Sequence, residues 1–292
     1  PMLFNIVINP LIERLQGRGI TPGLKLRPGA APPGPTGALA FADDLALLHT
    51  CRADMEWALA ECAAWAQGEG MAFSPAKCVT LRYGGGAPAA PLQAFDMAGT
   101  PLTALQCADY LGIPISPNGQ AGPAQRRKRI AGASAAGYAC SPYLAGPEGA
   151  RSGVAGFAVA RWVLIPILAF GGEILTPEDN TDWDESDLVV RRALRRALGL
   201  PRDSAIGPLR LLTGIWHVKY EVLYRKLLLC FRLLTSGWDV LRLTALECLK
   251  METASNALAG AGVTPLGRDL RAAIDAAGLY RFFRACARGE HG

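Results

Sequence analysis

The stretch Thr36–Thr50, TGALAFADDLALLHT, decides how the chain is read. Two short apolar runs, Ala38–Ala42 and Leu45–Leu48, flank a bare Asp43-Asp44 pair. Runs of that length suit buried strands. Gly34-Pro35 and Gly37 punctuate the start, and polar His49-Thr50 follows the second run. The pattern predicts a β-hairpin with both carboxylates at or beside its turn. Two carboxylates against an apolar hairpin cost free energy unless something cationic sits with them. Mg²⁺ suits such a place, because it takes one or two carboxylates, keeps waters and binds substrate phosphates. The competing reading is an exposed Asp-Asp turn, since Asp is common in turns and needs no ligand there.

Working outward, Phe41-Ala42-Asp43-Asp44 resembles the aromatic-x-Asp-Asp motif of reverse transcriptases. Pro1-Met2-Leu3-Phe4-Asn5 with Leu11-Ile12 resembles the end of that family's Ser-Pro-x-Leu-Phe-Asn segment. Gly70-Met71-Ala72-Phe73-Ser74-Pro75-Ala76-Lys77 resembles its Gly-Leu-x-Leu-Asn-x-x-Lys segment, and Asp109-Tyr110-Leu111-Gly112 its Tyr-Leu-Gly element. The four matches stand in the family's order over roughly the first 115 residues, in the style of non-LTR (LINE-like) retrotransposons.

Composition sets the bounds. The 292 residues suffice for one large domain or two smaller ones, and half of them are hydrophobic. A net charge of +5 permits a polyanionic partner without demanding one. The eight cysteines are scattered, with no C-x-x-C pair and three histidines in all. That speaks against a zinc ribbon or a disulfide framework and for a reduced, intracellular compartment. Cys286 and His291 alone do not make a tetrahedral zinc site. No P-loop, hydrolase triad or nuclease motif is present. There is no signal sequence, and the chain opens on Pro1 inside a motif-like stretch, so a fragment is expected. Val154–Gly172 is apolar enough to suggest a membrane span, but Arg161 lies near its middle and Pro166 breaks it. A central Arg costs roughly 2.5–3.5 kcal/mol in a bilayer. A buried helix followed by a second short element is expected, and no membrane partner.

The elements follow from periodicity. Leu3–Leu15 reads as a helix with Leu3, Val7, Leu11 and Leu15 on one face and Pro10 as a flaw. Residues 16–37 are Gly/Pro-rich loop, with a possible short strand over Ile20–Leu26. A helix is expected over about Arg52–Gln67, capped by Thr50, burying Met55, Leu59, Cys62 and Ala66 and ended by Gly68 and Gly70. Strands are expected at Met71–Ser74, Val79–Tyr83 and Tyr110–Ile115. A hairpin over Phe95–Leu105 should bend at Gly99-Thr100-Pro101, and Gly84–Pro91 reads as a turn or short linker. Pro117-Asn118-Gly119 marks a boundary, and beyond it helices are expected at about 122–140, 152–165, 183–198, 217–235, 238–258 and 267–287.

The fold class expected is therefore α/β. The resemblance implies part of a right-hand polymerase palm over residues 1–117, an antiparallel sheet with helices on one face, then an α-helical thumb and C-terminal region over 118–292. It implies an RNA-directed DNA polymerase working with two Mg²⁺ ions on an RNA template, a DNA primer and a dNTP, in the nucleus. Asp43 and Asp44 would be the catalytic metal ligands, with Asp43 the more critical. A third family aspartate lies on an earlier strand, and no residue here takes that role, so the chain is expected to be inactive without its missing fingers and first palm segment. Phe41 would hold the hairpin near the primer and small Ala42 would leave room for the nucleotide or primer, and both would also fill the sheet core. Lys77 would lie near the triphosphate, or else be a solvated lysine. Arg126, Arg127, Lys128 and Arg129 would hold duplex phosphates, or else form a solvated face. Arg191, Arg192, Arg195 and Arg196 follow acidic residues on one helix, which matches the helix dipole without a ligand. Two alternatives remain: a catalytically inactive nucleic-acid-binding remnant, or a helical interaction module.

Overall fold

The computed structural model describes residues 2–19, 36–82, 94–116, 121–144, 153–174, 181–237, 241–242, 245–246, 249 and 265–288. The chain divides into two units, Pro1–Asn118 with Trp238–Thr244, and Gly119–Gly237 with Ala245–Gly292. The architecture is mixed helix and small sheet, α/β in the broad sense. The expected Ile20–Leu26 strand, the Gly84–Pro91 turn and the Pro117-Asn118-Gly119 boundary lie outside the described residues.

In the first unit, α1 (Met2–Leu15) packs on α2 (Arg52–Gly68) beneath a hairpin of β1 (Ala38–Phe41) and β2 (Asp44–Leu47). The buried face of α1 is Ile8, Leu11 and Leu15, with Phe4 and Ile12 beside it, whereas Val7 is exposed. The expected stripe drifts because a strict four-residue spacing outruns the 3.6-residue turn. α2 buries Ala58, Leu59, Cys62, Trp65 and Ala66, with Met55 at the margin. Its N-cap is Cys51, not Thr50: the Cys51 sulfur accepts from the Asp54 N–H at 3.4 Å. Gly37 lets the hairpin start against the end of α1, since a Cβ there would stand 1.9 Å from the Leu15 carbonyl oxygen.

The remaining strands are short: β3 (Val79–Thr80), β4 (Asp96–Met97), β5 (Thr100–Pro101), β6 (Thr103–Ala104), β7 (Ala108–Tyr110) and β8 (Ile113–Ile115). Among the described residues they form three two-stranded ladders beside the β1–β2 hairpin, one of them, β3–β6, parallel, and not one antiparallel sheet. Met71–Ser74 is irregular and leads into a 3₁₀ turn at Pro75–Lys77, so the strand expected there is absent. Two further expectations shift for one reason. Ala98 and Gly99 both have positive φ (51° and 82°), as do Leu111 and Gly112 (51° and 75°). Each pair makes the central residues of a tight hairpin turn whose twist matches the flanking strands. The β4–β5 bend thus precedes Thr100-Pro101, and the expected single strand Tyr110–Ile115 is the turn and second arm of the β7–β8 hairpin.

The second unit is helical: α3 (Ala121–Ala139), α4 (Ser141–Leu144), α5 (Gly153–Val159), α6 (Ile165–Ala169), α7 (Thr181–Leu198), α8 (Ile206–Thr213), α9 (Val218–Leu234), α10 (Pro265–Ala276) and α11 (Tyr280–Arg288). One core gathers Ala133, Leu164, Leu168, Val190, Leu194 and Val222 from α3, α5–α6, α7 and α9. A second joins Cys230 and Leu234 to Leu270, Ile274 and Phe283. α5 and α6 are not separate elements. A π turn, Ala160–Leu164, joins them, and the Ile165 N–H bonds back to the Ala160 carbonyl. The wider turn absorbs Pro166, whose ring would otherwise clash one turn back. Arg161 lies over the exposed Trp162 ring at 5.7 Å. No helix among the described residues is long and apolar enough to cross a membrane. The helix expected over 267–287 breaks at Gly278 (φ +67°), and most of that expected over 238–258 lies outside the described residues.

Candidate functional site

The hairpin register fixes the carboxylates. Phe41 pairs with Asp44, Ala40 with Leu45, Leu39 with Ala46 and Ala38 with Leu47, which leaves Ala42 and Asp43 as a two-residue turn. Positive φ falls on Ala42 alone of these two (+52°), the position where such turns usually carry Gly. Directly opposed residues share a face. Ala38 is buried, and Leu45 and Leu47 pack on the α1–α2 core. Alternation therefore turns Leu39, Phe41, Asp44 and Ala46 outward. Leu39 is 48% and Phe41 65% exposed. Phe41 and Ala42 do not fill a sheet core, because period-2 alternation sends Phe41 away from the packed face and Ala42 sits in the turn.

Asp43 and Asp44 are both exposed, so water satisfies them without a cation. Two adjacent oxygen donors fit a hard divalent ion that keeps waters and takes further oxygens from a phosphate. They do not form a closed cage: among the described residues no group of three or more His, Cys, Asp or Glu could hold a metal. Tyr110 lies within electrostatic reach. Burial pushes its hydroxyl pKa up, and the Asp44 carboxylate pushes it further. Composition did not single out Tyr110, though it stands in the quoted Asp109-Tyr110-Leu111-Gly112 element. Lys77 is exposed at the end of the 3₁₀ turn, with its backbone N–H on the Ser74 carbonyl at 2.9 Å.

The basic run divides by helical phase. Arg126 is buried at 8% exposure, and Arg129 lies half-buried over the Phe170 ring at 4.2 Å. Arg127 and Lys128 face outward. Arg126 and Arg129 are thus part of the packing of α3, and Arg127 and Lys128 are the exposed members of the run.

The α7 arginines divide in the same way. Arg191 pairs with Asp187, one helical turn before it, at 3.0 Å, and Arg195 donates to the Ser204 carbonyl. Arg192 and Arg196 are exposed. Arg196 donates to the Ser141 hydroxyl at 2.9 Å and lies 5.5 Å from the centre of the Tyr138 ring. Asp187 is 1% exposed and collects Arg191, Arg210 and the Val218 N–H (3.2 Å), tying α7, α8 and α9 together. His217 Nδ1 accepts from the Lys219 N–H at 3.2 Å, so its Nε2–H donates to Asp184 at 2.8 Å. No pattern in the sequence marks these cross-helix partners.

The chain is similar to two curated proteins. Over 216 residues it is 27% identical to the "Retrovirus-related Pol polyprotein from type-1 retrotransposable element R2" of Nasonia vitripennis, covering 71% of this chain and 19% of that protein. Over 133 residues it is 32% identical to the protein of the same description from Popillia japonica, covering 42% of this chain and 20% of that protein. The chain spans about a fifth of the length of the curated relatives it matches. No family model and no solved structure matches it.

Proposed function

We propose that this chain is the part of a non-LTR retrotransposon reverse transcriptase that runs from the catalytic hairpin through the end of the palm (1–117) into the thumb (118–292). The resemblance to such polyproteins is supported by both R2 relatives. The observation that carries the polymerase reading is the hairpin itself, a two-residue turn that exposes Asp43 and Asp44 at the tip of an otherwise apolar ladder. In this reading Asp43 and Asp44 hold Mg²⁺. Bound there with the family's third carboxylate, the ions would activate the primer 3′-hydroxyl and stabilise the pyrophosphate leaving group. The outward Phe41 ring beside Asp44 gives the primer end an apolar surface, and Ala42 adds no bulk at the turn. Lys77 offsets triphosphate charge. Arg127 and Lys128 hold backbone phosphates without reading sequence. An RNA template, a DNA primer, dNTPs and a nuclear site of action belong to the same reading.

Among the described residues no third carboxylate joins Asp43 and Asp44 in a metal-binding group, which supports a second reading, a nucleic-acid-binding segment without catalysis of its own. Primer extension on an RNA template separates the two. The 292-residue chain should give no extension with Mg²⁺. Joined to the fingers and first palm strand of its polymerase, it should extend, and Asp43→Asn should then abolish extension while circular dichroism stays unchanged. Full extension by the Asp43→Asn variant would remove the hairpin from the chemistry.

A further inference from the structure

We propose that the outward face shared by α3 and α7 binds a single-stranded nucleic acid, with Tyr138 stacking on an unpaired base and Arg127, Arg192 and Arg196 holding phosphates to either side. The inference takes its ligand class from the reading above but needs neither the metal site nor catalysis.

Arg127 and Tyr138 are eleven residues apart on α3, which is three turns plus about 20°, so both lie on one face roughly 16 Å apart. Both are exposed, Tyr138 at 69%. Between them on the same face stand Ala131 and Ala135, also exposed, with nothing beyond Cβ to hold a strand away from the helix. At a rise of about 3.4 Å per nucleotide, that span is on the order of five nucleotides.

Tyr138 is held ready. Arg196 from α7 lies over its ring and is itself tied to the Ser141 hydroxyl. A guanidinium fixed against an aromatic ring gives a flat cationic platform, suited both to a base and to the phosphate next to it. Arg192 sits one turn earlier on the same side of α7. From Arg127 to Tyr138 on α3 and from Arg191 to Leu198 on α7, the exposed charged side chains are Arg127, Lys128, Arg192 and Arg196, all of them cations. A surface of that sign, with an exposed aromatic set among the cations, complements a polyanion that also offers flat apolar faces. The tyrosine decides between strand forms. Bases inside a duplex are stacked on both sides, whereas a single strand presents free base faces, and each aromatic stack contributes about five- to 150-fold in affinity.

The test is fluorescence anisotropy of a labelled oligothymidylate of about twelve nucleotides, single-stranded or annealed to its complement, titrated with the 292-residue chain without metal or dNTP. Tyr138→Ala should weaken single-strand binding by about five- to 150-fold and leave duplex binding and thermal unfolding unchanged. Tyr138→Phe keeps the ring and should bind like the parent. Arg127→Gln with Arg192→Gln should flatten the log–log salt slope by about 0.7 per lost contact. No single-strand binding by the parent, equal losses for both strand forms in Tyr138→Ala, or an unchanged salt slope would each overturn the proposal. None of these outcomes bears on the hairpin, whose own test is extension by the Asp43→Asn variant.

Discussion

Asp187 should be the most costly single charge to remove from the helical unit. Its carboxylate is 1% exposed and takes Arg191 from its own helix, Arg210 from α8 and the Val218 N–H that begins α9. Asp187→Asn keeps the shape, and its carbonyl oxygen can still accept from Val218. The charge is lost, and two guanidiniums remain beside a neutral amide. Stripping one partner from a buried ion pair costs about 3–5 kcal/mol. Arg191 and Arg210 keep 27% and 21% exposure, so water recovers part of this, and about 2–3 kcal/mol is expected. Asp187→Ala also orphans the Val218 N–H, which adds about 1–3 kcal/mol. The assay is urea unfolding followed by helical circular dichroism, with Glu185→Ala as the control. Glu185 is exposed on the same helix and should change stability little. For a unit of this size, Asp187→Asn should lower Tm by roughly 4–12 °C. A loss below about 1 kcal/mol in Asp187→Asn would show that the arginines do not depend on the carboxylate, and the junction would be packing alone.

The same junction gives a pH signature. The hydrogen bond from His217 holds the Asp184 carboxyl below its ordinary value of 3.8, so its contribution is present above that value and lost as pH falls through the depressed one. Urea midpoints measured between about pH 5 and pH 2 should fall less steeply in Asp184→Asn than in the parent, and identical slopes would refute the pairing. Two glycines should respond differently to alanine. A Cβ at Gly172 would meet the Val222 methyls at 3.0 Å and the Ala169 carbonyl oxygen at 3.1 Å, tight contacts that shifts of a few tenths of an ångström relieve, for a cost of about 1–3 kcal/mol. At Gly37 it would meet the Leu15 carbonyl oxygen at 1.9 Å, a clash that no such shift relieves, so Gly37→Ala should disrupt the first unit and cost more by the same urea assay.

The hairpin, α2, α7 and α9 were legible in the sequence because each is local. Short apolar runs between Gly and polar signals, or helical periodicity with Gly and acidic signals at the ends, decide them within a dozen or so residues, although the hairpin strands are half-exposed and not the buried strands such runs suggest. Other features were not. The β7–β8 turn needs positive φ at Leu111, which composition does not advertise, and the Cys51 cap replaces the more usual Thr50. The π turn at Ala160–Leu164 lies inside a continuous apolar run. The split of the basic run into packed Arg126 and Arg129 and outward Arg127 and Lys128 depends on what α3 packs against. A charge count cannot supply that.

Subtraction by packing sharpens the functional reading more than the motifs alone. Arg126 and Arg129 sit in the packing of α3. Arg191 and Arg210 belong to Asp187, Arg195 to the Ser204 carbonyl, and the buried Lys226 to Asp269. These charges serve the fold, and replacing them would test stability before binding. Among the described residues Arg127 and Arg192 have no such internal duty, and Arg196 lies over Tyr138, a ring that the fold leaves mostly exposed. The first unit divides in the same way. Ala38, Leu45 and Leu47 close on α1 and α2, while Phe41, Asp43 and Asp44 point outward from the open side of the hairpin. Phe41 and the two carboxylates beside it take no part in that core. Asp43→Asn and Tyr138→Ala alter exposed groups and should spare stability, whereas the Asp187 variants should not.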